Sequence, residues 1–242
     1  FKLLRKFCAS HAFFTEIPKP VGEDGGGMYH ACIGSLILLG ITSVIGIPWG
    51  MATGIYLSEY GGSRIVRSAV DLLSGIPSIV IGLFVYTVLV LPFKHFSALS
   101  GGVALGLLLI PSVARSTEEL LRLVPRDLRE AGLALGLSRW KTLVFLILPG
   151  IRPAIASTTL LALARAAGET APLLFTAFGS QYVSYSPFDP IASLPVQIFT
   201  YAVSPFDDWR TKAWGAALVL VFAVTVLNLA IRAWISHGRN ET

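Results

Sequence analysis

The sequence predicts an all-α, polytopic helical membrane protein, and three observations support that prediction. Of its 242 residues, 54% are hydrophobic. Only 14% are charged, whereas soluble domains carry about a quarter charged residues. Several apolar runs approach the length that an α-helix needs to cross a bilayer. The mean hydropathy, +0.70, is explained better by a lipid solvent than by a large soluble core.

Apolar runs predict the membrane spans, and polar stretches predict the segments between them. Five spans are expected at residues 31–57, 68–91, 101–123, within 144–178, and at 213–235. Residues 1–30 predict an extracytoplasmic loop with a short interfacial helix near residues 7–14. Residues 179–209 predict a long external loop, and residues 236–242 predict a cytoplasmic tail. Residues 31–235 are thus expected to form one transmembrane domain, with kinks at Pro48, Pro77, Pro111 and Pro149.

Basic residues indicate how the spans are oriented. Lysine and arginine cluster at span ends that share one side if the spans alternate, so the positive-inside rule places residues 126–149 and the C-terminus in the cytoplasm. The formal net charge of +5 does not indicate nucleic-acid binding, because the basic residues form no single stripe. Cys8 and Cys32 are too few to predict a disulfide framework or a metal site.

The sequence contains no pattern typical of an enzyme. Its four histidines are scattered, and it has neither a His-Glu-x-x-His pair nor a Gly-x-Ser-x-Gly elbow. It also lacks the Gly-x-x-x-x-Gly-Lys-[Ser/Thr] cradle that binds the phosphates of ATP. We therefore expect no catalytic residue, metal or cofactor in this chain, and expect any ATP that drives it to be hydrolysed by another subunit.

Charged side chains inside apolar runs are the strongest functional signal, because a charge near the bilayer centre costs roughly 2.5–3.5 kcal/mol. Arg165 and Glu169 stand four residues apart, which predicts that they share a helix face, and Thr170 adjoins them. Arg115 and Glu119 repeat this spacing nearer the cytoplasmic end. Two interpretations remain open: structural ion pairs within the bundle, or arginines that line a route for an oxyanion. A guanidinium suits an oxyanion because its planar donors match the oxygens and it stays charged.

The connector at residues 126–149 carries a short motif between two apolar runs. A helix is expected from Arg126 to Lys141, with Gly136 allowing close approach on one face. Glu130-Ala131, then Gly136, then Ile147-Leu148-Pro149 resembles the EAA signature of ABC-importer permeases, with Gly132 where the family has alanine. The resemblance implies a coupling helix that docks on a separate ATPase, through Glu130, Ala131, Gly132, Leu135, Gly136, Arg139 and Trp140. Without a partner, the same segment would be an interfacial helix.

Further stretches resemble the permease subunits of bacterial phosphate ABC importers, the A-type more than the C-type. They lie at residues 54–60, 75–82, 115–119, 125–136, 164–174 and 193–198, and the Arg-Ala-x-Gly-Glu-Thr-Ala-Pro block at 165–172 is the most specific. The resemblance implies the ABC type I importer permease fold in the bacterial inner membrane, with a sixth span before Phe1. It also implies a C-type second permease, two copies of an ATPase and a periplasmic or lipid-anchored phosphate-binding protein. Arg165 and Glu169 carry over as transport-path residues.

Other functions share part of this pattern. A stand-alone anion channel or secondary transporter would use the same arginines without a coupling helix. Permeases for sulfate, molybdate or tungstate also carry tetrahedral oxyanions, and the charges alone do not separate them from a phosphate permease.

Overall fold

The computed structural model describes residues 12–20 and 25–238, and α-helices dominate that part of the chain. The predicted interfacial helix near residues 7–14 lies partly outside the described residues, as does the end of the predicted tail. The helices are α1 (Ala12–Thr15), α2 (Tyr29–Glu59), α3 (Arg64–Gly75), α4 (Ser78–Val85), α5 (Leu91–Phe93), α6 (Ala98–Leu123), α7 (Arg126–Ala134), α8 (Arg139–Thr142), α9 (Leu148–Ala166), α10 (Ala171–Thr176), α11 (Leu194–Ala202) and α12 (Asp207–Gly238).

Four helices in the described residues are long and apolar enough to cross a membrane. They are Tyr29–Glu59, Ala98–Leu123, Arg139–Ala166 and Asp207–Ala230. The run at 68–91 was expected to form one span, but α3 and the α4–α5 segment meet there at a bend of 105°. Pro77 lies at that bend and has no backbone N–H to continue a helix. The predicted second span is therefore a broken helix.

Among the described residues, helices α2 and α6 form the most extensive helix contact, and they pack through small residues. Gly46, Gly50 and Gly54 recur every four residues on α2 and face α6. A Cβ at Gly50 would lie 2.7 Å from the Cβ of Val113, and one at Gly54 would lie 2.5 Å from the carbonyl oxygen of Ala114. Membrane helices pack closely when small residues line their interface, and this glycine series gives α2 and α6 that close approach. The space around Gly40, by contrast, is open.

Two prolines are accommodated by π-helical turns that precede them. Residues Leu143–Ile147 form such a turn before Pro149, and the N–H of Leu148 donates to the carbonyl of Leu143 five residues back. A π turn absorbs the missing proline donor and its ring without ending the helix. Arg139–Ala166 therefore forms one long apolar helix. At Pro149, where a kink was expected, the helix widens locally into the π turn. A second π turn, Tyr86–Val90, precedes Pro92.

The predicted external loop at 179–209 contains a helix. Helix α11 has its first residues buried, and the N–H of Leu194 donates to the hydroxyl of Ser35 in α2 at 2.8 Å. The polar composition of the whole stretch concealed this nine-residue, mainly apolar helix. Pro195 lies in its first turn, where the missing N–H of proline breaks no helical hydrogen bond. Helix α10 packs against α4 and α6, and helix α11 packs against α12.

Candidate functional site

A polar cavity lies where the broken helix meets α6 and the end of α9. Its volume is about 330 Å³. The lining residues come from the break between α3 and α4, from the middle of α6, and from α9 and the turn that follows: Leu73, Ser74, Ile76, Pro77, Ser78, Leu108, Leu109, Pro111, Ser112, Ala162, Arg165, Ala166 and Glu169. Pro111 lies thirteen residues from one end of α6 and twelve from the other. The cavity is therefore near the middle of a spanning helix.

Arg165 and Glu169 both line this cavity, although they do not share a helix face. Helix α9 ends at Ala166, residues 167–168 form a turn, and Glu169 lies in the non-helical link to α10. The expected continuous helix is wrong here, because Gly168 and Pro172 favour a break. No ion pair joins Arg165 to a described residue. Thr170, the third residue predicted here, is the N-cap residue of α10 and is absent from the cavity lining.

Two Pro-Ser pairs converge on the same cavity. Pro77-Ser78 stands at the start of α4, and Pro111-Ser112 lies inside α6, which continues through its proline. The first backbone N–H groups of α4 lack intrahelical acceptors and carry partial positive charge. The cavity therefore combines a guanidinium, three serine hydroxyls and the positive end of a broken helix, a combination suited to an anion.

A separate ion-pair cluster connects α3 and α6, near the end of α6 that precedes the coupling segment. Its centre is Glu118, whose side chain is only 2% exposed. Glu118 pairs with Arg67 at 2.8 Å, with Arg122 at 2.7 Å and with Arg115 at 3.1 Å, and Arg115 also pairs with Asp71. The predicted partner of Arg115, Glu119, is exposed instead. Residues three positions apart also meet on a helix, and Arg115 pairs with Glu118, three positions on, rather than with Glu119, four positions on.

Residues 126–141 form two short helices, and the predicted single helix is wrong. Helix α7 ends at Ala134, and Gly136 follows with φ +79°. The N–H of Leu137 donates to the carbonyl of Gly132, and the N–H of Gly136 donates to that of Leu133, which together make a Schellman C-cap. Ser138 then caps α8 by accepting from the N–H of Lys141. Gly136 is therefore present for its left-handed backbone, with open space where a Cβ would lie.

Gly132 occupies the close contact that had been expected at Gly136. It is the one buried residue of α7, and a Cβ there would lie 2.5 Å from Cγ2 of Thr142 in α8. The departure from the family's alanine thus has a local reason: Thr142 fills the space that the methyl group would need. The rest of the predicted coupling set is exposed, and Leu135 at 80% and Trp140 at 56% stand out as apolar. Exposed apolar residues surrounded by charges are typical of a docking surface.

Arg129 joins the coupling segment to the ends of two spanning helices. Its guanidinium pairs with Glu59 at the end of α2, and its Nη2 donates to the carbonyl of Leu121, near the end of α6, at 2.6 Å. The carbonyl of Leu121 also accepts from the N–H of Val124 at 3.4 Å, so Arg129 is a second donor to this helix-end carbonyl and holds α7 in place. Sequence reasoning missed this residue, because nothing local indicates a partner seventy positions away.

Comparison with known proteins agrees with this architecture. Residues 46–237 match a protein family described as the binding-protein-dependent transport system inner membrane component. The chain belongs to this family. It is accordingly a multi-pass protein of the inner membrane, and its relatives are permease subunits of transport systems. The described residues include no cluster of three or more metal-ligating side chains that could hold a metal ion.

Relatives within this inner-membrane family align over most of their length. The chain is 45% identical to the phosphate transport system permease protein PstA of Haemophilus influenzae, over 91% of this chain and 79% of that protein. It is 47% identical to PstA of Xylella fastidiosa, over 93% of this chain and 80% of that protein. The fold resembles an inward-facing structure of the MetNI methionine ABC transporter with a TM-score of 0.68, 18% identity, and coverage of 87% of this chain and 96% of that one. The fold is thus the ABC type I importer permease fold.

Proposed function

We propose that this chain is the transmembrane permease subunit of an ATP-driven phosphate importer, with the Arg165 cavity on the translocation path. The observation that carries the proposal is the cavity itself: a guanidinium, serine hydroxyls and a helix N-terminus meet at mid-span. The relatives named as phosphate permeases support phosphate over sulfate or molybdate. The cavity chemistry suits any tetrahedral oxyanion.

The cavity residues would contribute different interactions to a bound anion. Arg165 provides charge that does not depend on pH and a planar pair of donors for two oxygens. Ser78 and Ser112 provide neutral hydroxyls, and the α4 N-terminus provides backbone donors. Glu169 places a negative charge in the same cavity, which opposes tight retention of a phosphate. A path that conducts must bind its substrate weakly enough to release it.

The Glu118 cluster is proposed as the next group of charges along the path. Arg115 lies one helical turn beyond Ser112, so an anion leaving the cavity along α6 meets a guanidinium already held by Asp71 and Glu118. Glu119, the partner expected for Arg115, lies outside this cluster and is not part of the proposed path. The bound carboxylates keep the arginines in position when no anion is present.

Energy for transport comes, in this proposal, from an ATPase that docks on residues 126–142. The exposed surface of α7 and α8 receives the movement, and Arg129 with the Gly132–Thr142 contact transmits it to α2, α6 and α9. The flexible point is the 105° break at Pro77, which borders the cavity. Of the four prolines expected to kink their helices, Pro77 is the one at which the helix is broken.

The proposed assembly contains a C-type second permease, two copies of the ATPase and a periplasmic or lipid-anchored phosphate-binding protein. The chain itself binds no cofactor in this proposal, and ATP is hydrolysed by the partner. The test is to isolate the tagged chain in mild detergent and identify what co-purifies. Recovery of the ATPase with a second permease supports the proposal. Recovery of the chain alone, with anion flux that needs no ATP, would favour a stand-alone channel or secondary transporter.

A further inference from the structure

Arg152 is a charged residue that the proposed transport path does not use. It lies in the apolar helix Arg139–Ala166 and is exposed. No ion pair or hydrogen bond links its guanidinium to another described residue. A charged side chain within a membrane span is costly unless an opposite charge or water meets it. The negative charge that neutralises Arg152 must therefore come from a group outside the described residues.

Arg152 and Arg165 face opposite sides of α9. They are thirteen positions apart, which at about 100° per residue separates them by roughly 140° around the helix axis. Arg165 lines the polar cavity, whereas Arg152 lines a groove between α2 and α9. The anion that meets Arg152 is thus not one moving through the Arg165 cavity.

The groove beside Arg152 is large and almost entirely apolar. Its volume is about 840 Å³. Its walls include Ile47, Met51, Leu148, Pro153, Ala156 and Leu160, and no acidic residue is among those that line it. A hydrocarbon chain fits such walls, while a hydrated inorganic ion does not.

The position of Arg152 along the helix fits the inner leaflet. It precedes Arg165, which lines the mid-span cavity, by thirteen residues, or about 20 Å at 1.5 Å per residue toward the coupling segment. Side chains on an α-helix lean toward its N-terminus, which for α9 is the end next to the coupling segment. The long arginine side chain can thus extend toward the headgroups on that side while its methylenes stay in the groove.

We propose that the α2–α9 groove binds an anionic phospholipid of the inner leaflet, with its phosphate on Arg152 and an acyl chain along the apolar walls. Basic pockets between membrane helices on the cytoplasmic side bind anionic headgroups in this way. A single phospholipid would both neutralise the charge of Arg152 and fill the apolar groove. It leaves the Arg165 cavity free for the transported anion.

The experiment uses the complete transporter, purified in mild detergent and offered phosphatidylglycerol or phosphatidylcholine before native mass spectrometry. We expect phosphatidylglycerol to be retained at least tenfold more than phosphatidylcholine on the unmodified complex. Arg152→Gln should abolish this preference, and Arg64→Gln, which removes an exposed arginine outside the groove, should keep it. Equal retention by Arg152→Gln would overturn the proposal.

A second variant tests the groove without removing the charge. Ala156→Phe fills the space against the α9 wall, so it should displace the retained lipid even though Arg152 remains; full retention would contradict the proposal. A photo-crosslinker at position 156 should label lipid. If it labels the second permease instead, the groove is a protein interface and the lipid assignment is wrong.

Discussion

Glu118 shows how one buried side chain can connect two helices. It is almost fully buried, and its two oxygens meet guanidinium groups from α3 and α6. Removing one partner of a buried ion pair leaves the other charges uncompensated. The Glu118 carboxylate therefore stabilises the α3–α6 contact, which without it keeps only the Arg115–Asp71 pair of this cluster.

Replacing Glu118 should destabilise the protein far more than replacing its neighbour. Glu118→Gln leaves three arginines without their shared counter-ion, so we expect a loss of about 3 kcal/mol in stability and a lower Tm of the purified complex. Glu119→Gln, at the adjacent exposed position, should change stability by less than about 0.5 kcal/mol. Equal shifts in Tm for the two variants would show that Glu118 is not the centre of the cluster.

Gly132 provides a second prediction at the residue scale. Gly132→Ala places a methyl group against Thr142, and overpacking of this kind costs about 1–3 kcal/mol. Combining it with Thr142→Ala should recover part of that loss, because the second change removes the atoms that clash. Thermal unfolding of the four members of this double-mutant cycle measures the coupling. Additive effects would mean that the two side chains do not compete for the same space.

The coupling segment is best understood as an element held at defined points. Gly136 ends α7, Ser138 starts α8, and Arg129 ties α7 to α2 and α6. A surface that an ATPase pushes can move the spans only if it is firmly attached to them. Arg129 provides that attachment through one ion pair and one hydrogen bond to a helix-end carbonyl.

Breaking the Arg129–Glu59 contact should uncouple ATP hydrolysis from transport. We expect Arg129→Gln to keep ATPase activity within about twofold while phosphate uptake per ATP falls roughly tenfold, as expected for about 1.4 kcal/mol of lost coupling. Glu59→Gln should act in the same direction. The double variant with Glu59→Arg and Arg129→Glu should recover part of the ratio. A proportional loss of hydrolysis and uptake would indicate misfolding of α7 instead.

At the scale of the whole molecule, the sequence predicted the class of fold because apolar length and low charge are averages over many residues. It also singled out Arg165 and Glu169, which line one cavity, because charges in apolar runs are local signals; their role in transport and the coupling role of residues 126–149 stay predictions. It missed Glu118 as the shared ion-pair partner of three arginines, and Arg129 as the residue that joins α7 to α2 and α6. It also missed helix α11 inside a polar stretch. Those features depend on contacts between distant segments, which no local window contains.

The broken second span illustrates the same limit. Its composition matched a continuous membrane helix, and Pro77 was expected only to kink it. The bend of 105° exposes the start of α4 to the cavity beside Arg165. The anion binding proposed for this site therefore depends on tertiary structure, even though each contributing residue is visible in the sequence.

The central claim is that an oxyanion crosses through the Arg165 cavity under the drive of ATP. It is tested most directly by uptake of radiolabelled phosphate into liposomes containing the complete transporter, with binding protein outside and ATP at the ATPase. The unmodified complex and Arg64→Gln should accumulate phosphate only when ATP is present. Arg165→Gln should lower uptake by about tenfold or more, because hydrogen bonds to a charged group contribute about 1.5–3 kcal/mol. Normal uptake by Arg165→Gln, or accumulation without ATP, would contradict the account.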